Sequence, residues 1–158
     1  MKLPNNISVQ NPKPFSKEEI IELESLTGLT FSEELVSFLT KYAGGKPKID
    51  GKDCLTKIIY EDGLESENYI VKIESFESIR DTWKYNDYLK EFKVLFKIPV
   101  SYVEVDKLIP IIELMSDSIY YASGGIHSGK IYHVDNGDFG ISKSADSLEE
   151  YFNNLYSE

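Results

Sequence analysis

The sequence predicts a single α+β domain: an antiparallel-rich sheet with two N-terminal helices and a C-terminal helix packed around it. Three observations predict it. Capped amphipathic patterns open the chain between Ser16 and Tyr42 and close it after Ser144. Between them lie short β-rich runs separated by turn residues. The 158 residues suit one core and not two, and 41% hydrophobic with 13% aromatic content is that of a folded globule.

Residues 1–13 are polar and proline-bearing, and read as an N-terminal arm or one short extended piece ahead of a domain over residues 14–158. Ser16 with Glu19 forms a capping box, and Phe15 and Ile20 occupy the staple positions around it. Gly28 stands where a left-handed residue ends the first helix. Thr30 with Glu33 repeats the box for a second helix, whose apolar positions are Phe31, Leu35, Leu39 and Tyr42, with Phe38 beside them. Gly44 and Gly45 stop it.

Leu55 to Tyr60 and Tyr69 to Ile73 read as neighbouring antiparallel strands. Their connector, EDGLESEN, holds the turn dipeptide Asp62-Gly63 and the acids Glu61, Asp62, Glu65 and Glu67. Ser75 caps a third helix, expected to run to Phe92 with Phe76, Ile79, Trp83, Leu89 and Phe92 inside. Pro99 forbids its continuation, so Lys93 to Lys107 is expected to cross irregularly. Leu108 to Leu114 is a strand that tolerates Pro110 at an edge or a bulge. Ile119 to Ser123 and Lys130 to Val134 are strands joined by GGIHSG, and Asn136-Gly137 turns the chain into a short strand at Phe139 to Ser142. Ser144 to Tyr156 closes the chain as a helix with Leu148, Tyr151, Phe152 and Leu155 at i, i+3, i+4 and i+7. Leu35, Leu39, Ile111, Leu148 and Phe152 are the expected core.

The 27 acids and 17 bases give a formal net charge of −10. Such a surface repels nucleic-acid phosphates and attracts basic partners. The single cysteine, Cys54, excludes an internal disulfide and a cysteine-rich zinc site. No run is long and apolar enough for a signal peptide or a bilayer span, so a cytoplasmic protein with no membrane partner is expected.

Four patterns that suggest chemistry fail on their context. Gly124 to Lys130 matches G-x-x-x-x-G-K, but Ile131 stands where the magnesium-binding Ser or Thr belongs, and a strand pattern follows instead of a helix. Asp138-Phe139-Gly140 echoes a kinase triplet without its companion motifs. His127 and His133 lack the further ligands that a metal needs. The carboxylate pairs Glu18-Glu19 and Glu33-Glu34 lie on first helical turns, where the helix dipole favours them. No catalytic, cofactor or metal site is expected.

The whole pattern resembles a known family. An opening helix I-x-x-L-E-x-x-x-G-L precedes a second ending Phe38-Leu39-x-x-Tyr42-x-Gly44-Gly45. Later come Ile109-Pro110-Ile111, Tyr120-Tyr121, a G-K-I-Y strand from Gly129 to Tyr132 ending at Asp135, and a final S-x-x-x-S-L-E-E-Y-F helix. This is similar to the SUKH superfamily, which contains yeast cell-wall-synthesis regulators and many bacterial immunity proteins. Family members usually carry Leu-Pro where this chain has Thr30-Phe31.

The resemblance implies a non-enzymatic binding role: an antitoxin that neutralises a cognate protein toxin of basic, nuclease type. A regulatory or scaffold module unrelated to toxins is the alternative it implies. The expected partner surface is acidic: Glu61, Asp62, Glu65 and Glu67 with Asp135 and Asp138 around the Asn136-Gly137 turn, because loops on a rigid sheet are common sites of recognition.

Overall fold

The computed structural model describes residues 1–60, 63–84, 103–135 and 140–158. In chain order the elements are β1 (Ile7–Gln10), α1 (Lys17–Thr27), α2 (Glu33–Tyr42), β2 (Lys46–Ile49), β3 (Lys52–Asp53), β4 (Leu55–Ile59), β5 (Glu65–Ile73) and α3 (Phe76–Lys84). A 3-10 turn at Val105–Lys107 leads into β6 (Leu108–Leu114), β7 (Ser118–Ala122), β8 (Ile131–Val134), β9 (Ile141–Ala145) and α4 (Leu148–Asn153). Every strand pair is antiparallel. A six-stranded sheet runs β4 to β9 in chain order, and β1, β2 and β3 form a smaller one. The α+β class is therefore as the sequence predicts, and no helix among the described residues is long and apolar enough to cross a membrane.

Local chemistry explains the first helix. Ser16 Oγ accepts from Glu19 N at 3.1 Å, and Glu19 Oε1 accepts from Ser16 N at 3.0 Å, so two orphan amides at the N-terminus are satisfied. Gly28 ends the helix at φ 71°, with its N–H on Glu24 O. The second helix corrects the reading of Thr30 and Glu33. Its cap is Ser32, whose Oγ accepts from Leu35 N at 3.1 Å. The start is set by distant contacts: Phe31 is buried with its N–H on Glu24 Oε2, and Ser32 Oγ also meets Tyr121 Oη at 2.8 Å.

Two further boundaries differ from the pattern, and one lies partly outside the described residues. The closing helix spans Leu148–Asn153 and is capped by Ser147, while Ser144 belongs to β9. Strand β9 covers Ile141–Ala145, and residues 136–139 of the hairpin lie outside the described residues. The third helix is described to Lys84 behind Ser75, whose Oγ accepts from Ser78 N at 3.1 Å; Leu89 and Phe92 lie outside the described residues. Strand β6 is not an edge. Its proline is tolerated because the register shifts between Pro110 and Ile112 against β7.

One core lies between the helices and one face of the sheet. Leu35, Leu39, Ile111, Leu148 and Phe152 are all fully buried there, and Phe38 stacks on Phe152 at 5.6 Å. A second core covers the other face of β6 to β8, where Val103 and Val105 pack on Leu108, Tyr120, Tyr132 and Val134. Truncating Phe152 to alanine should cost about 3–5 kcal/mol, read from urea unfolding, because it empties the junction of α2 and α4.

Glu74, directly before α3, is only 4% exposed. Burial pushes its carboxyl above the ordinary value, while a short hydrogen bond from Ser78 Oγ opposes the shift. A raised folded-state value means stability that is present at low pH and lost as pH rises past the ordinary carboxylate range. Glu74→Gln should therefore raise the melting temperature at pH 7 by roughly 2–4 °C. The gain should vanish when melting is repeated near pH 4.

Candidate functional site

An antiparallel meander sends alternate connectors to the same end of the sheet. The pairs Ile59↔Glu65, Glu113↔Ser118 and Val134↔Ile141 close three such turns, so Tyr60, Gly63, Leu64, residues 115–117, Asp135 and Gly140 share one end. Of the acids singled out from the sequence, Asp135 stands at this end. Glu61, Asp62 and Asp138 lie outside the described residues. Glu65 and Glu67 are not connector residues: β5 starts at Glu65, and both stand exposed on that strand. Asp135 follows β8, half-buried, with its N–H on Gly140 O at 2.9 Å.

The alternation of β4 and β5 places Lys57, Ile59, Glu65, Glu67 and Tyr69 on one outer face, because register partners point the same way. Lys57 Nζ lies 3.4 Å from Glu65 Oε2. Both side chains are about half exposed, so solvent screens the pair and it adds little stability. Glu67 is the register partner of Lys57 and also neighbours Tyr156. Burial first, then the Glu67 and Glu65 charges, pushes the Tyr156 phenol up to about 12. Exposed apolar side chains belong to this strand pair and its connector: Ile59 is 56% exposed and Leu64 67%. On this face Glu65 and Glu67 outnumber Lys57, and exposed apolar points stand beside them.

A buried polar cluster holds this end together. His133 on β8 is fully buried, and its Nε2 lies 3.1 Å from Asp117 Oδ2 in the β6–β7 connector. The Tyr60 ring, from the β4–β5 connector, meets the imidazole edge-to-face at 6.1 Å. Tyr60 Oη in turn reaches Ser66 Oγ at 3.3 Å. One imidazole therefore ties together two connectors and the strand that leads into the third. The carboxylate beside His133 is Asp117, which the β6–β7 turn and the β7–β8 register together bring near.

The other suggestive motifs resolve separately. His127 packs its ring against Tyr132 at 6.2 Å, apart from the His133–Asp117 pair. Among the described residues no three His, Cys, Asp or Glu side chains are grouped to hold a metal ion. In the glycine-rich loop, Ile126 N donates to Glu104 Oε1 at 2.9 Å. Gly125, at φ 74°, lets that carboxylate approach so closely that a Cβ would fall 2.0 Å from it. The loop clasps the chain's own carboxylate and leads into strand β8. Cys54 is buried, and its thiol is pushed up to about 11 mainly by burial, which keeps it protonated and unreactive at neutral pH.

Compared with known proteins, residues 14–154 match the family model described as SMI1 / KNR4 family (SUKH-1). A search of the curated proteins found no match.

Removing Asp117 should leave the buried His133 Nε2 without its acceptor. Asp117→Ala should cost about 1–3 kcal/mol in urea unfolding. Asp117→Asn keeps an acceptor oxygen and should recover most of that loss.

Proposed function

The chain belongs to the SMI1 / KNR4 family (SUKH-1), and we propose that it is a non-enzymatic immunity protein that binds and neutralises a cognate toxin domain of basic, nuclease type. The observation that carries this reading is the acidic outer face of β4 and β5, on a protein with a net charge of −10. Glu65 and Glu67 project from a hydrogen-bonded strand, so their positions are set before a partner arrives and little ordering entropy is lost on binding. Glu61, Asp62, Asp135 and Asp138 extend the acidic surface in this proposal, with Ile59 and Leu64 supplying apolar contact. An acidic face can occupy a cleft built for phosphate and accelerate encounter by steering. The toxin is met in the cytoplasm, and neither nucleic acid nor membrane is a partner.

Co-expression with the product of the adjacent reading frame tests this directly. The expected outcome is restored growth together with a purified complex. A complex without toxicity or rescue would favour a regulatory or scaffold module instead.

The surface has its own test. Reversing Glu61, Asp62, Glu65 and Glu67 to lysine should lower the association rate at least tenfold at low salt. Reversing Glu18, Glu19 and Glu22 on α1 should lower it much less. The wild-type rate should also fall steeply between low and physiological ionic strength. Equal effects of the two reversals, or a salt-insensitive rate measured by stopped flow, would dispose of this interface.

A further inference from the structure

The six-stranded sheet curls until its first and last strands approach, yet no ladder joins β4 to β9. Between them lies a slot of about 330 Å³ lined by Thr56, Lys57, Ile59, Ser144, Tyr151, Asn154 and Tyr156. The hydrogen-bonding side of β4 facing this slot can be worked out. Tyr60 N bonds to Leu64 O and Ile70 N bonds to Cys54 O, so the even-numbered residues face β5. Leu55 instead exchanges both its bonds with Tyr156, at 2.7 and 3.2 Å. By the antiparallel alternation, Lys57 and Ile59 turn their N–H and C=O groups to the same side as Leu55. That edge already accepts one strand residue from the chain's own C-terminal end, and the next two positions along it have no ladder partner among the described residues.

A second observation points into the same slot. The hydroxyl of Tyr151, a residue only 2% exposed, is buried without a hydrogen-bond partner, and so is that of Tyr156. Thr56 and Glu67 stand beside these two hydroxyls without meeting hydrogen-bond geometry. Buried phenols normally find a partner. Two backbone donors, two backbone acceptors and two phenols therefore converge on one short slot. A peptide main chain supplies both donors and acceptors, whereas a lone cationic side chain would leave the N–H groups unmet. Charge selects the kind of peptide: Lys57, which lines the slot, is paired with Glu65 at 3.4 Å, and Glu67 stands beside Tyr156 of the same lining and offers the negative charge there.

We propose that the slot between β4 and β9 takes a short, extended, basic peptide segment of the partner, paired through its main chain to Lys57 and Ile59. This rests on the chain being a protein-binding module. It deepens that reading by giving the acidic face a backbone anchor of the strand-addition kind.

The probe is the blocked peptide acetyl-lysyl-valyl-threonyl-lysine amide, titrated at low salt into the full-length protein labelled with nitrogen-15. Saturable shifts in the millimolar range are expected at the amides of Lys57, Ile59, Ser144 and Tyr156. The glutamyl counterpart of the peptide should bind at least threefold more weakly. Ile59→Pro removes an outward N–H on an edge strand, where proline is tolerated, and should weaken binding about tenfold. Tyr151→Phe deletes only a hydroxyl without a partner and should weaken binding at least threefold with the melting temperature unchanged.

Absence of saturable shifts at those amides, or wild-type affinity in Tyr151→Phe and in folded Ile59→Pro, overturns the proposal. If Ile59→Pro does not fold, Tyr151→Phe decides alone. Peptide binding without toxin rescue in the co-expression experiment would remove the immunity reading and leave the slot standing. Rescue without peptide binding does the reverse.

Discussion

Strand β6 is paired on both sides, buried on both faces and interrupted by a proline, and the rest of the sheet is arranged around those three demands. Pro110 offers no N–H, so a regular ladder through it would fail. The register shifts between Pro110 and Ile112 against β7, and β5 shifts between Ile70 and Lys72 on the other side. A bulge inverts the facing of the residues beyond it. Ile109, Ile111 and Ile112 all reach the main core, while Leu108 serves the second core. A third shift, between Ile131 and Tyr132, bends the pairing of β8 with β9. Bulges increase bending and twist, and three of them curl a six-stranded meander until β9 stands next to β4.

How much of the fold is legible in the sequence depends on the range of the forces involved. The Ser16–Glu19 box and the Gly28 stop act within one helical turn, and the structure holds both where the spacing puts them. The same spacing at Thr30 and Glu33 misleads, because Phe31 goes into the core and Ser32 answers to Tyr121, 89 residues away. Two further signals are local and legible. Ser147 with Glu150 caps α4, with Glu150 N on Ser147 Oγ at 3.0 Å. Asp50 and Gly51, both at positive φ, turn β2 into β3 as a two-residue hairpin should. The flanking KPKI and KD runs hide that hairpin because their lysines and proline carry almost no β signal.

The candidate surface divides in the same way. The excess of acids over bases is a compositional fact, and the antiparallel meander explains why Tyr60, residues 115–117 and Asp135 share one end of the sheet. The local settings of the acids depend on register. Glu65 and Glu67 belong to a strand, where turn dipeptides alone predict a loop. The His133–Asp117 pair needs the β6–β7 turn and the β7–β8 ladder together, since 16 residues separate the two in the chain. No spacing rule finds such a pair. It ties the β6–β7 connector to β8 at the end of the sheet where Asp135 stands.

The unfinished closure between β4 and β9 is best understood as a consequence of where the helices are needed. To complete a ladder, β9 would have to run alongside β4, but Ala145 is followed almost at once by α4, whose Leu148, Tyr151 and Phe152 fill the main core under α2. The chain then returns along the edge only at Tyr156, and meets β4 at Leu55 alone. Core packing thus fixes the position of α4, and α4 in turn fixes how far the last residues can cover the edge. Unpaired edges are normally protected against association with foreign strands. Here the C-terminal residues cover one position, Lys57 places a charge at the next, and Ile59 remains exposed between Lys57 and the acidic connector. An edge protected in this partial way is shielded from indiscriminate pairing, and under the strand-addition proposal it still leaves room for one short segment.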